Sequence, residues 1–266
     1  MPQDLSATGN PLPSDHVPDG KNPAEQAIYQ RYLSLVGDSV RQEALSNWVE
    51  DCRELRAAGD VGVGVSLFYA EAEKAMLLNP IYGGHVILEN WQLLSRDGTY
   101  DILLSTLAMA SDALSKVPGT LDKASQAAYY AGFTAADHLD DLEAAFLWAH
   151  RAIKLSKLSG DTYPWIGDCW ILVGRAGVAN GMAEATDGTY RHALDIQSKM
   201  AAEIPDARFN LALGWRYYAD HLDATNRRGE GLLALSEAAK QVALIPAKLR
   251  GYPEIAAILA DFQKRK

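Results

Sequence analysis

The sequence predicts an all-α fold, arranged as a right-handed α-solenoid of about five antiparallel helix pairs. From Ala24 onward, apolar residues recur at i, i+3, i+4 and i+7, which is the spacing of a helix with one buried face. Turn-forming residues interrupt this pattern at intervals that leave room for helices of about 12–20 residues. Two segments of the sequence also match each other when the sequence is aligned with itself at a fixed offset, which is typical of repeat proteins. A globular helical bundle is the alternative architecture.

Residues 1–23 differ from the rest of the chain in composition. Five of the eleven prolines lie in this segment, and Gly, Ser and Asp fill much of the remainder. A segment without a periodic apolar face cannot bury enough surface to offset the entropy lost on ordering. We therefore expect a disordered Pro-rich arm over 1–23, followed by a helical repeat domain over 24–252.

Pairs of turn-forming residues mark the predicted boundaries between helices. Gly tolerates positive φ, Asp and Asn bond to their own backbone, and Pro cannot continue a helix interior. The predicted turns lie at Gly59-Asp60, Asn79-Pro80, Gly83-Gly84, Asp97-Gly98, Pro118-Gly119, Gly160-Asp161, Asn180-Gly181, Pro205-Asp206 and Pro246.

An internal repeat appears when the sequence is shifted by 41 residues. In both copies an aromatic residue is followed 11 residues later by Asp or Gly, and 12 residues after that by Ala. The aromatic side chain fills space between two helices, the Asp or Gly permits a tight turn, and the small Ala allows close helix contact. The matched pairs are Tyr129 with Trp170, Asp140 with Gly181, and Ala152 with Ala193.

The second copy resembles the tetratricopeptide repeat (TPR) consensus. The residues that carry the resemblance are Trp170, Val173, Gly174, Gly181, Tyr190 and Ala193. Alanines that anchor successive units are 38, 39, 41 and 46 residues apart, whereas the family period is about 34. Those alanines are Ala75, Ala113, Ala152, Ala193 and Ala239. Thr186 and Asn210 stand where the consensus has Ala and Trp, and the longer units resemble TPR-like sensor and regulator domains of bacterial signalling systems.

The resemblance implies a protein- or peptide-binding module that acts as an adaptor, a regulator or an inhibitor. In such proteins the first helix of each pair lines a concave face that binds extended peptides or helices. The register of the first helices predicts the binding residues Tyr129, Phe133, Asp168, Arg175, Arg208, Trp215 and Tyr218. The alternative for Phe133 and Trp215 is packing against neighbouring repeats.

The acidic stretch from Asp137 to Glu143 is the feature most suggestive of an enzyme. On one continuous helix, Asp137 and Asp141 would share a face and could hold Mg²⁺ in a metal-dependent α-helical enzyme. The repeat register instead makes Asp140 and Asp141 a turn, with Glu143 near the start of the next helix. Because the sequence offers no second acidic motif and no Glu-x-x-His motif, we predict no catalytic residues, no metal and no cofactor.

Charge and hydropathy restrict the class of partner. The formal net charge is −9 and no basic stripe occurs, so nucleic-acid binding is not expected, while a basic protein or peptide is favoured. No apolar run approaches the roughly 20 residues of a membrane span, and no secretory signal begins the sequence, so we expect a cytoplasmic protein without membrane contact. A receptor with an aromatic small-molecule pocket between repeats remains a further alternative.

Two smaller features complete the sequence-based predictions. Cys52 and Cys169 lack CxxC or Cys/His neighbours, which indicates small core residues in a reducing compartment.

The segment 253–266 is predicted to be an amphipathic capping helix, because such a helix closes the end of a repeat array. Its apolar stripe consists of Ile255, Ile258, Leu259 and Phe262.

Overall fold

A computed structural model describes residues 72, 76, 80–95 and 99–265 of the chain. Within these residues every regular element is a helix and no strand occurs, which confirms the all-α prediction. The predicted arm over 1–23, Cys52 and the first anchor, Ala75, lie outside the described residues.

Nine α-helices follow one another through the described residues. They are α1 (Pro80–Leu94), α2 (Tyr100–Leu114), α3 (Leu121–His138), α4 (Leu142–Ser159), α5 (Ile166–Ala179), α6 (Asp187–Glu203), α7 (Arg208–Ala224), α8 (Arg228–Leu244) and α9 (Pro253–Arg265). Short 3₁₀ turns precede α6 at Ala183–Thr186, α7 at Pro205–Ala207 and α9 at Ala247–Leu249.

The chain divides into two compact units, Met1–Ala127 and Ala128–Lys266, so the boundary lies within α3. In the first unit, α1, α2 and the start of α3 enclose an apolar core. Its largest fully buried side chains among the described residues are Met76, Ile87, Leu94, Leu103, Leu107 and Leu114. Ser111 in α2 donates a hydrogen bond to the carbonyl oxygen of Ala124 in α3 at 3.0 Å, which fixes the two helices against each other.

The predicted turn at Gly83-Gly84 is wrong, because both glycines lie inside α1. A Cβ atom at Gly83 would lie 2.5 Å from the backbone nitrogen of Met76, and one at Gly84 would lie 2.7 Å from Cδ1 of Leu114. These glycines therefore serve close packing of the helix. A sequence pattern of two glycines does not distinguish this use from a turn.

In the second unit, each helix from α4 to α8 packs against the following helix, and α5 contacts α7 while α7 contacts α9. Gly132 in α3 makes the approach to α5 close, since a Cβ atom there would lie 3.3 Å from Leu172. Contacts with the next helix and the next but one are those expected of stacked helix pairs. The handedness of the array and the number of about five pairs stay predictions.

The turns of the second unit confirm the positions inferred from the repeat. Asp140, Gly160 and Gly181 have φ values of 53°, 83° and 74°, in the left-handed region that the turn chemistry required. The Asp141 carboxylate accepts a hydrogen bond from the backbone nitrogen of Ala144 at 2.9 Å and caps α4. The acidic stretch thus spans the end of α3, a turn and the start of α4, rather than one continuous helix.

Residues of the TPR-like motif fill the contact between α5 and α6. A Cβ atom at Gly174 would lie 2.7 Å from the ring of Tyr190, so only glycine leaves room for that ring. The Trp170 ring lies 5.2 Å from His192 and 6.3 Å from His150, measured between ring centroids. Ala193 is fully buried, and Cys169 is buried, as predicted.

The final helix, α9, packs its apolar side against the core of the second unit. Ile255 and Ile258 are buried and Phe262 is half-buried against the same core. Leu259 is 41% exposed, so the buried stripe is narrower than the sequence pattern indicated.

Candidate functional site on the face of α3, α5 and α7

A polar cluster surrounds Asp168, which lies in the first turn of α5. Gln197 of α6 donates to Oδ1 of Asp168 through Nε2 at 2.7 Å. Asn210 of α7 donates to Oδ2 through Nδ2 at 2.7 Å, and the Tyr129 hydroxyl of α3 donates to the same oxygen at 3.3 Å. Four helices thus contribute to one hydrogen-bonded group, which we call the Asp168 cluster: Tyr129, Asp168, Gln197 and Asn210.

Two glycines allow Gln197 to reach Asp168 between the helices. A Cβ atom at Gly167 would lie 2.5 Å from Cγ of Gln197, and one at Gly214 would overlap the Gln197 amide oxygen. Gln197 is only 2% exposed, and none of the described residues forms a hydrogen bond with its amide oxygen. Because Gly167 and Gly214 have no side chains, the buried amide of Gln197 can lie against the Asp168 carboxylate.

Burial raises the pKa of Asp168 to about 7, although the hydrogen bonds from Gln197, Tyr129 and Asn210 act in the opposite direction. The three donors are neutral, and among the described residues Asp168 forms no ion pair. Asp168 nevertheless remains partly exposed to solvent. The cluster therefore holds a carboxylate that changes charge near neutral pH and has no built-in counter-ion.

Neighbouring titratable groups stay neutral in this environment. Burial, and then the charge of Asp168, raise the pKa of both Tyr129 and Cys169 well above their ordinary values. The ionised form of the cluster accordingly carries its charge on Asp168 alone.

A second polar row lies two helical turns further along the same three helices. Arg175 of α5 donates to the Asp137 carboxylate of α3 at 2.7 Å, and its guanidinium carbon lies 4.8 Å from the centroid of the Tyr217 ring of α7. Positions seven apart share a helix face, as Asp168 and Arg175 do on α5 and Asn210 and Tyr217 do on α7. We call this surface the α3–α5–α7 face: Tyr129, Asp137, Asp168, Arg175, Asn210 and Tyr217.

Aromatic side chains lie beside the first row on α3. The Tyr129 ring is 5.2 Å from the Tyr130 ring and 6.5 Å from the Phe133 ring, between centroids. All three residues are half-buried, so each keeps part of its surface open to solvent. The Tyr130 and Phe133 rings therefore lie beside Tyr129, whose hydroxyl donates to Asp168.

Of the seven predicted binding residues, Tyr129, Asp168 and Arg175 belong to the α3–α5–α7 face. Phe133 is a fourth, because its ring lies beside that of Tyr129. The other three all lie on α7 and point away from the α3–α5–α7 face. Arg208 donates to Gln241 of α8 at 3.0 Å, and Tyr218 is buried and donates to Asp187 of α6 at 3.0 Å. Trp215 packs half-buried against the core, with its ring 6.1 Å from that of Tyr218. A shift of two residues in the assumed register of α7 would have selected Asn210 and Tyr217 instead.

Sequence reasoning missed Gln197, Asn210 and Tyr217 as members of the site. A usable signal was present for Asn210: Tyr129, Asp168 and Asn210 are 39 and 42 residues apart, close to the repeat spacing. Polar residues at the repeat spacing on successive first helices are expected to be neighbours. Gln197 lies on a second helix, and only the two glycine contacts reveal its direction.

The acidic stretch shows no arrangement of ligands for a metal ion. Asp137 is paired with Arg175, and Asp141 caps α4. In the part of the chain that the structure describes, no group of three or more His, Cys, Asp or Glu side chains is placed to hold a metal. The described helices also include none that is both long and apolar enough to cross a membrane.

Comparisons with known proteins do not extend the resemblance to the TPR family. No protein-family model matches the chain, and no curated protein matches it significantly. The site must therefore be interpreted from its own chemistry.

Proposed function

We propose that the chain is a TPR-like binding module, and that its α3–α5–α7 face binds a segment of another protein. The observation that carries the proposal is the alignment of two polar rows across three successive first helices. A segment lying across such a face would meet hydrogen-bonding groups at every helix it crosses.

Charge supports a basic partner in particular. The whole sequence carries a formal charge of −9, which favours encounter with a positively charged surface. Within the face, Arg175 is already paired with Asp137, whereas Asp168 has no cation beside it in the part of the chain that the structure describes. The unpaired charge of the face is therefore negative.

A selection from a random peptide library displayed on phage tests the proposal. We expect the purified full chain to enrich peptides with Kd values of about 1–100 μM, the range of small recognition surfaces. The double variant Phe133→Ala, Tyr217→Ala should weaken binding of the enriched peptides by at least about tenfold, because aromatic side chains dominate such contacts.

The matched control removes apolar surface from second helices. Leu147 in α4 and Leu233 in α8 are 62% and 68% exposed, so the double variant Leu147→Ala, Leu233→Ala should bind the same peptides as the wild type does. Failure to enrich any peptide, or equal losses in the two double variants, would count against the α3–α5–α7 face as a binding surface.

A further inference from the structure

Among the described residues, Asp168 has no cation beside it, unlike Asp137 and Asp220. Asp137 is 2.7 Å from Arg175, and Asp220 on α7 is 2.7 Å from Arg265. The hydrogen-bond donors to Asp168 among the described residues, Tyr129, Gln197 and Asn210, are all neutral. A carboxylate removed from bulk water without a counter-ion is costly, and a ligand that supplies the counter-ion recovers that cost.

The hydrogen bonds of the cluster orient the carboxylate and leave one oxygen with spare capacity. Oδ2 accepts from both Tyr129 and Asn210, whereas Oδ1 accepts from Gln197 alone among the described residues. Each carboxylate oxygen accepts about two hydrogen bonds. The amide oxygen of Gln197 is buried against Gly214 and has no hydrogen-bond partner among the described residues. The cluster thus has acceptor capacity for one more donor.

We propose that Asp168 and the adjacent rings of Tyr129, Tyr130 and Phe133 form a subsite for an alkylammonium group. An ammonium donates at one point to Oδ1 and is attracted to aromatic faces, whereas a guanidinium binds best to a carboxylate with both oxygens free. This proposal rests on the proposed function in one respect, namely that the ammonium belongs to a lysine side chain or a free amino terminus of the bound segment. A free amine is the other source of the same chemistry.

Occupancy of this subsite is expected to depend on pH. The group that titrates near neutrality is Asp168, with a pKa of about 7; Tyr129 on α3 and Cys169 on α5 stay neutral, and Gln197 on α6 and Asn210 on α7 do not titrate. An alkylammonium keeps its charge until about pH 10. Binding should therefore weaken about tenfold from pH 8 to pH 6, as Asp168 becomes protonated.

Titration of the ¹⁵N-labelled full chain with Nα-acetyl-lysine methylamide tests the subsite, because the side-chain NH₂ signals of Gln197 and Asn210 report on it directly. We expect saturable shifts of these signals at pH 8, about tenfold weaker binding at pH 6, and no comparable effect of the uncharged Nα-acetyl-norleucine methylamide. Nα-acetyl-arginine methylamide should bind more weakly than the lysine probe. Asp168→Asn should abolish saturable binding, whereas Asp195→Asn, the same change at an exposed aspartate of α6 paired with Lys199, should not.

Several outcomes overturn the inference or part of it. Equal responses to the lysine and norleucine probes, or wild-type affinity in Asp168→Asn, would overturn the subsite. Stronger binding of the arginine probe would overturn its assignment to an ammonium. If phage selection enriches peptides on the face but Asp168→Asn binds them normally, the proposed function stands and the subsite fails. If n-butylammonium binds and no peptide is enriched, the subsite stands and its attribution to a protein segment fails.

Discussion

Asp168 and Asp187 occupy similar places in the second unit and behave in opposite ways. Each lies in the first turn of its helix, α5 for Asp168 and α6 for Asp187. Each accepts a hydrogen bond from a tyrosine of another helix, Tyr129 at 3.3 Å and Tyr218 at 3.0 Å respectively. Burial raises the pKa of Asp168 to about 7, whereas the pKa of Asp187 lies below its ordinary value.

The difference comes from the remaining partners of the two carboxylates. Burial also opposes ionisation of Asp187, but hydrogen bonds from Arg227, Tyr218 and Arg191 outweigh it. Arg227 and Arg191 each lie 2.7 Å from a carboxylate oxygen of Asp187. In the Asp168 cluster the corresponding positions are taken by the neutral amides of Gln197 and Asn210. Asp187 is thus paired with two guanidinium groups, whereas Asp168 has no cation beside it among the described residues.

The comparison suggests different roles for the two carboxylates: Asp187 stabilises the fold, and Asp168 belongs to the candidate site. The Asp187 network joins α6 to α7 and to the residue before α8, and it pairs the carboxylates of Asp187 and Glu230 with the guanidinium groups of Arg191 and Arg227. Charged networks of this kind stabilise the folded state when every member has a partner. A carboxylate held in place by neutral donors instead costs stability, and residues that cost stability concentrate at binding sites.

Asp187→Asn should have the largest effect among single substitutions in the two clusters. Removing the charge weakens the bonds from Tyr218, Arg227 and Arg191, and hydrogen bonds to a charged group contribute about 1.5–3 kcal/mol each at most. We expect a loss of about 3 kcal/mol in the free energy of unfolding at pH 7, measured by urea denaturation.

The pH dependence of that loss follows from the lowered pKa of Asp187. The stabilisation is present above the unfolded-state pKa and is lost as the pH falls through the lower folded-state pKa, so the difference between variant and wild type should shrink below about pH 4. Asp195→Asn, an exposed control on α6, should change stability by less than about 0.5 kcal/mol. Equal urea midpoints for the two variants would show that the network contributes no stability.

Asp168→Asn should have the opposite sign. A folded-state pKa of about 7 against an ordinary value of 3.8 means that ionisation destabilises the fold increasingly as the pH rises from about 4 to 7. The full shift corresponds to about 4 kcal/mol, and partial exposure of Asp168 reduces it, so we expect a gain of about 2 kcal/mol at pH 8. At pH 4 the variant and the wild type should be nearly equal.

The local structure accommodates this substitution. The new amide oxygen can accept from Tyr129 and Asn210, and the new NH₂ group can donate to the Gln197 oxygen once that amide turns over. Thermal unfolding at pH 8 and pH 4 provides the measurement. A variant that is less stable than the wild type at pH 8 would show that the carboxylate is compensated within the protein, and the comparison with Asp187 would fail.

The sequence predicted helix boundaries better than it predicted either cluster. Asp140, Gly160 and Gly181 mark real turns because their chemistry acts locally, through positive φ and bonds to the nearby backbone. Gly83 and Gly84 were misinterpreted because glycine is needed there to make room for Met76 and Leu114, which belong to other segments of the chain. Local patterns carry no information about such contacts.

The candidate site was predicted only in part for the same reason. Tyr129 and Asp168 were placed on one face by the repeat register, and they are within hydrogen-bonding distance. The register error on α7 then exchanged Asn210 and Tyr217 for residues that face α6 and α8. The raised pKa of Asp168 was not predictable either, because it depends on burial and on the absence of a nearby cation, neither of which is a property of the local sequence.

Gly214→Ala isolates the geometric support of the Asp168 cluster. The added methyl group would overlap the Gln197 amide oxygen and push the amide away from Asp168. Overpacking costs about 1–3 kcal/mol, and better helix propensity returns about 0.5–1, so a net loss of about 1 kcal/mol is expected in urea denaturation. Gly188→Ala on α6 is the control, because a Cβ atom there meets nothing within 4 Å. Should both substitutions stabilise the protein equally, Gln197 would not be held in place by Gly214.

Arg265→Gln should have the smallest effect and tests whether ion pairing alone explains the contrast. Arg265 of α9 bridges Asp220 at 2.7 Å and Asp223 at 2.6 Å, so these carboxylates have a counter-ion as Asp187 does, but in a more exposed setting. Solvent weakens such pairs, and we expect a loss of about 0.5–1 kcal/mol that diminishes at 0.5 M NaCl. Lys264→Gln removes the same charge from an exposed neighbour and should be nearly neutral in the same urea titrations. If Arg265→Gln lost as much free energy of unfolding as Asp187→Asn, a counter-ion would stabilise an aspartate regardless of its burial. The contrast between Asp168 and Asp187 would then come from the missing cation alone and not from the burial of the carboxylate.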